Sequence, residues 1–186
     1  MQHTSVIDSF RTEFVEYLAE HGMSTFLHRE AVLEQIVPPG MSSSGIEQLL
    51  RAFLGAVGIT TELIIVDPYF FASTRDPNYA GLIVGILKPT LPGLRELKIV
   101  TMKNSVDTTV KGTVTAALNA IAPGLTLTHQ VSGSFHDRFW INPVAAQGFI
   151  CGTSLNGLGR RYALLDNLKP SDTADVIAAL RTENLL

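Results

Sequence analysis

The chain is 186 residues long, 46% hydrophobic and 17% charged, with one cysteine and a formal net charge of −3. Such a chain is long enough to bury a sizeable core and suits one globular α/β or α+β domain. With a pI of about 5.9 it carries no overall positive field that would hold nucleic acid non-specifically, so any anion site has to be local.

The opening stretch MQHTSVIDSFRTEF lacks a basic segment followed by an apolar core and does not read as a signal peptide. Thr4 or Ser5 caps a helix expected over 5–21, with Ile7, Phe10, Phe14, Tyr17 and Leu18 as its apolar stripe and Gly22 as its stop. Residues 26–37 fit a short helix or a strand, and Pro38-Pro39-Gly40 closes them. Serines at 42–44 cap a helix near 45–57, with Leu49, Leu50, Phe53 and Val57 on its buried side. Glu62-Leu63-Ile64-Ile65-Val66 reads as a fully buried strand running into Asp67-Pro68-Tyr69.

A loop over 70–78 leads to a glycine-interrupted helix over 79–88, which Pro89 to Pro92 break. Leu97 to Met102 form the next strand, and Asp107 or Thr108 caps a helix to about Ile121, stopped by Pro123-Gly124. LTLTHQV at 125–131 alternates as a strand, with Leu125, Leu127, His129 and Val131 on one face. Strands over 135–141 and 147–153 flank a turn at Asn142-Pro143, and a helix over 171–182, capped by Ser171, follows. Strands alternating with helices imply an α/β fold: a mixed β-sheet flanked by helices. No apolar run approaches the ~20 residues of a bilayer span, so the expectation is a soluble, cytoplasmic protein, with peripheral membrane contact left open.

Chemistry concentrates in residues 134–161, SFHDRFWINPVAAQGFICGTSLNGLGRR. On an extended strand His136, Arg138 and Trp140 share one face, and on the next strand Ile150, Gly152 and Ser154 share one, with Asn156 just past its end. Pairing the two strands brings His136 and Arg138 near Ser154 and Asn156. A phosphate would be well served there: Arg138 offers charge-assisted hydrogen bonds, Ser154 and Asn156 neutral donors, and the glycines a close backbone approach.

His136-Asp137-Arg138 followed by Gly152-Thr153-Ser154-Leu155-Asn156 resembles the HxK…GSxN motif of the phospholipase D superfamily. The order of elements over roughly 45–170 follows one such domain, which divides the chain into an N-terminal helical extension, 1–44, and a phospholipase D-like domain, 45–186. Within the superfamily the chain looks especially like the domain found behind microtubule-interacting-and-trafficking modules, thought of as a lipid-phosphate-binding module. The resemblance implies His136 as the nucleophile that forms a phosphohistidine, and Arg138, Ser154 and Asn156 as phosphate ligands. By the same resemblance Asp166 would orient the histidine, where the alternative is a plain surface or cap residue; Arg160 and Arg161 read either as a solvated charge pair or as a rim that attracts polyanions. Arginine stands where the family has lysine, and Pro143 where it usually has an aspartate, with Asn142 the nearest polar residue.

One motif copy supplies one histidine, whereas the family's reaction uses two, so the resemblance implies a homodimer with two His136 facing across a twofold axis. It implies a metal-independent phosphodiesterase with no cofactor, acting on nucleic acid in preference to lipid. The alternative is a non-catalytic module binding the phosphates of lipid headgroups or an acidic partner. No Cys/His cluster has zinc-ligand spacing. Outside the motif, His129 reads as a core histidine whose alternative is a second site imidazole. Asp67 either orients a site group or ends its strand in a turn. Trp140 either packs or stacks on substrate, Phe70-Phe71 is either buried or a wedge for a partner, and Cys151 reads as core.

Overall fold

Glu62–Val66 carries only apolar side chains after its first residue, and such a strand needs cover on both faces. It obtains that cover near the middle of a seven-stranded sheet. The structure is a computed structural model that describes residues 34–186, with residues 15, 16 and 19 helical before them. The remainder of the helix expected over 5–21 lies outside the described residues. In chain order the elements are β1 (Glu34–Val37), α1 (Ser43–Val57), β2 (Glu62–Val66), α2 (Tyr79–Leu87), β3 (Glu96–Thr101), α3 (Thr108–Ile121), β4 (Thr126–Val131), β5 (Arg138–Asn142), β6 (Gln147–Cys151), β7 (Ala163–Asn167) and α4 (Pro170–Thr182). The sheet order is β1-β7-β6-β5-β2-β3-β4. β2, β3 and β4 run parallel, and every other neighbouring pair is antiparallel. The fold is therefore α/β with a mixed sheet flanked by helices.

Local chemistry explains the helix ends. Ser42 caps α1 by accepting from the Gly45 amide, and Gly58 ends it in the left-handed region at φ 63°, which costs a glycine nothing. Asp107 caps α3, its Oδ1 accepting from the amides of Thr109 at 2.9 Å and Val110 at 3.2 Å. α4 starts one residue before its expected bounds and is not capped by Ser171. Pro170 opens it, at a position where the missing amide hydrogen would have had no partner anyway.

Cross-strand partners share a face, so the register sorts the sheet's side chains into rows. One row reads Asn167, Phe149, Trp140, Ile65, Ile99, His129. Against this face lie α1, through Phe53 on Phe149 at 5.1 Å, and α3, through Lys111 on His129, with α2 between them. Trp140 is buried here, stacked on Phe149 at 5.6 Å, and Phe70 and Phe71 are buried as well. The opposite face carries Ile64, Val66, Val100 and Ile141, which pack against Ile177 and Leu180 of α4 and Leu185 beyond it.

β7 falls outside the expected elements, and β1 takes the strand alternative for the end of 26–37. β7 alternates over only five residues, and β1 is a short edge strand with exposed side chains until Val37. Both expected strands of the hairpin are shorter than their bounds, because β5 begins at Arg138 and β6 ends at Cys151. The turn between them is built on Asn142. Its buried amide donates to the carbonyls of Val57 at 3.3 Å and Gly58 at 2.9 Å, and its Oδ1 accepts from Val144 at 3.0 Å and Ala145 at 3.1 Å.

Candidate functional site

The carboxyl ends of β2 and β3 bring polar residues into an otherwise apolar sheet. Extending the Ile65–Trp140 and Ile65–Ile99 register by two residues puts Asp67 in one row with Arg138 and Thr101, and Cys151 joins them through its pairing with Arg138. Asp67 is fully buried, which raises its pKa. Opposing that, Oδ1 accepts the Tyr69 amide at 2.9 Å, Oδ2 accepts the Leu155 amide at 3.0 Å, and the Arg138 cation lies nearby. Asp67 therefore both ends its strand in a turn and ties down the Gly-Thr-Ser-Leu-Asn loop.

Arg138 is half-buried, with its guanidinium 5.9 Å from the centre of the Tyr69 ring. Its Nε is buried and has no hydrogen-bond partner among the described residues. Ser154 is buried beside the Leu155 amide that Asp67 holds, and no described residue hydrogen-bonds its hydroxyl. From there the chain makes a 3-10 turn over Leu155–Gly157. Asn156 is half-buried and donates to the Ser73 carbonyl at 3.4 Å. Gly159, at φ 74°, closes the loop against Gly40, whose amide donates to its carbonyl at 2.7 Å, and a Cβ at Gly159 would stand 2.8 Å from the Met41 carbonyl oxygen. Beside this loop lies a cavity of about 210 Å³, with Thr74, Asp76, Asn156 and Arg160 among its lining residues.

The expected residues are placed differently from one another. Arg138 and the loop carrying Ser154 and Asn156 both lie by Asp67, the loop through the Leu155 amide and Arg138 as a nearby cation. They do so by another route than strand alternation, because Arg138 pairs with Cys151 and so faces away from Ile150. His136 precedes β5, and its side chain is 93% exposed; its polar partner among the described residues is the Asp137 carboxylate at 3.3 Å. Phe135 anchors it from behind by packing against the α4 side of the core. Asp166 pairs with Ile150 and Glu34, in the row of Phe139, on the sheet face opposite Arg138. Arg160 and Arg161 are exposed on the loop that leads into β7. Tyr69, which no sequence argument singled out, is the ring under the guanidinium. Its only signal in the sequence was its place in the Asp-Pro-Tyr strand end.

Two neighbouring groups are inert. Burial pushes the Cys151 thiol up to about 12. His129 has both ring nitrogens engaged: Nδ1 lies 2.9 Å from Lys111 Nζ, and Nε2 lies 2.8 Å from Thr101 Oγ1. An ammonium can only donate, so Nδ1 accepts and the proton sits on Nε2, which donates to Thr101. Burial first, and the Lys111 charge second, lower this imidazole's pKa. Among the described residues no group of His, Cys, Asp or Glu side chains is arranged to hold a metal ion, and no helix is long and apolar enough to cross a membrane.

No protein-family model and no curated protein matches the chain. Among solved structures it is similar to TrmBL2, an archaeal chromatin protein, at 14% identity and a TM-score of 0.40, covering 100% of this chain and 68% of that one. It is also similar to the yeast tyrosyl-DNA phosphodiesterase, a phospholipase D superfamily member, at 12% identity and a TM-score of 0.38, covering 73% of this chain and 31% of that one. Both similarities are distant and concern the fold.

Proposed function

We propose that the carboxyl edge of the sheet binds a phosphodiester, and that paired copies of the chain hydrolyse it without a metal by phospholipase D-type chemistry. The observation that carries this reading is Arg138, a cation with a buried, unpartnered Nε next to the loop of Ser154 and Asn156. A phosphate oxygen would satisfy that donor and bring compensating charge. His136 is exposed two residues before Arg138, so a bulky diester can reach it. Its imidazole attacks phosphorus, the bond to the leaving oxygen breaks, and that oxygen takes a proton from His136 of a second copy. Water then gives a proton back to the His136 of the second copy, adds to phosphorus, and releases the imidazole and a phosphomonoester. Nucleic acid is the preferred substrate class.

The exposure of His136 favours a second reading, in which the site holds a phosphate without cleaving it. The experiment uses purified protein and His136→Ala with bis(p-nitrophenyl) phosphate, single-stranded DNA and anionic vesicles, all in EDTA. Hydrolysis by the wild type that is lost in the variant supports the enzyme. Equal null activity sinks it. If Arg138→Ala then also loses DNA or vesicle binding, the site is a phosphate-binding module. Sedimentation tests pairing, and a strict monomer rules out a two-histidine reaction.

A further inference from the structure

We infer that Asp67 is the positioning residue of this site, setting the Arg138 guanidinium and the Ser154–Asn156 loop in one frame. The inference rests on reading that cluster as phosphate-binding. A buried acid beside an anion site is a paradox, since its charge opposes the ligand. The geometry resolves it. Each carboxylate oxygen is used once: Oδ1 on Tyr69, whose ring lies under Arg138, and Oδ2 on Leu155, the residue between Ser154 and Asn156. The carboxylate joins segments 88 positions apart in the chain through the Leu155 amide at 3.0 Å, a shorter tie than the 3.4 Å bond from Asn156 to the Ser73 carbonyl. The carboxylate thus fixes both halves of the ligand shell from behind and leaves the outer side of Arg138 for the anion.

Asparagine is nearly isosteric but cannot do both tasks. Its oxygen serves one amide, while its NH₂ meets the other amide hydrogen donor to donor. Simple electrostatics predicts the reverse effect, because removing a negative charge near Arg138 strengthens anion binding. The two explanations therefore differ in sign.

The test measures the affinity of bis(p-nitrophenyl) phosphate, whose charge stays constant across the working pH range, for wild type, Arg138→Ala and Asp67→Asn, with amide exchange of residues 153–157. Asp67→Asn is expected to bind at least roughly tenfold more weakly, with faster exchange in the loop and unchanged exchange in β5 and β6. Unchanged or tighter binding overturns the inference alone, provided that the wild type binds and Arg138→Ala does not. A wild type that does not bind overturns the phosphate reading and this inference with it.

Should Asp67→Asn fail to fold, the wild type carries the test through pH. The groups facing Asp67 are Arg138, Tyr79 from α2 and Cys151 from β6. Neither Tyr79 nor Cys151 loses its proton at neutral pH, since burial holds both above their ordinary values. As pH falls, the Leu155 amide proton shift reports protonation of Asp67, and probe affinity is expected to fall in step. Affinity that rises as that shift titrates overturns the positioning role.

Discussion

Asn142 marks a place where family pattern and physical role diverge, and its replacement gives a quantitative test. It neighbours the position where the phospholipase D superfamily, whose motif the sequence resembles, usually has an aspartate, yet its side chain is buried in structural work. Three of its hydrogen bonds, to Gly58, Val144 and Ala145, fall between 2.9 and 3.1 Å, and the fourth, to Val57, is longer at 3.3 Å. The two accepted bonds define the β5–β6 turn, and the two donated ones cover carbonyls at the end of α1, joining segments 84 positions apart. Asn142→Ala removes all four. At about 1 kcal/mol for each of the three good bonds, less what water returns to the exposed turn amides, the loss is about 2–3 kcal/mol. For a chain of this size that is a fall of roughly 4–12 °C in melting temperature. Urea unfolding should show a lower midpoint at unchanged slope. Asn142→Asp should be at least as damaging, because its second oxygen would face two carbonyls. Phosphodiester binding by the folded fraction should not change. A loss under about 0.5 kcal/mol, or a selective loss of binding, would refute the structural assignment.

The other predictions concern protons and thiols. His129 should show the Nε2–H tautomer by ¹⁵N NMR and stay neutral as pH falls through 6.5, and Lys111→Met should raise its midpoint; an imidazolium at pH 6.5 would contradict the Lys111 contact. With its folded pKa depressed, its share of stability is complete above the unfolded value of 6.5 and is lost as pH falls below it. The Asp107 carboxyl is held below 3.8 chiefly by the Ser73 hydroxyl, so Ser73→Ala should raise its midpoint in a ¹³C titration. Its contribution is present above 3.8 and lost as pH falls through the depressed value, and an unmoved midpoint would remove Ser73 as the cause. Cys151 should not react with a disulfide reagent in the native protein at about pH 8, and should react fully in urea.

Much of the fold was legible because the signals are local. Val66 ends a run that only a central strand can bury, Asp107 announces α3, and Gly58 sits where the α1 pattern stops. β1 and β7 carried no comparable signal. Glu34-Gln35-Ile36-Val37 has one buried residue, and Ala163-Leu164-Leu165-Asp166-Asn167 alternates for too short a stretch to be separated from a loop. Their strand character comes from pairing, β7 on β6 and β1 on β7, which is a property of the sheet and not of either segment. The same omission shaped the reading of Asp166. Counted along the chain it stands at a suggestive distance from Ser154, but once β7 exists its register sends the side chain to the far face.

The site was legible as a set of residue types and not as a geometry. Strand alternation over 135–141 treats His136 and Arg138 as a facing pair, but alternation holds only while the backbone is paired, and β5 pairs from Arg138 onward. His136 therefore escapes the constraint that seats Arg138. The same step beyond Cys151 frees Ser154 from the Ile150 face and lets Leu155 reach Asp67. A motif that reads as four converging side chains is, in the folded chain, one seated cation and one tethered loop, with a histidine outside both. Under the proposed function, convergence on a phosphate depends on the acid behind the first two, and cleavage on a second copy that orders the third.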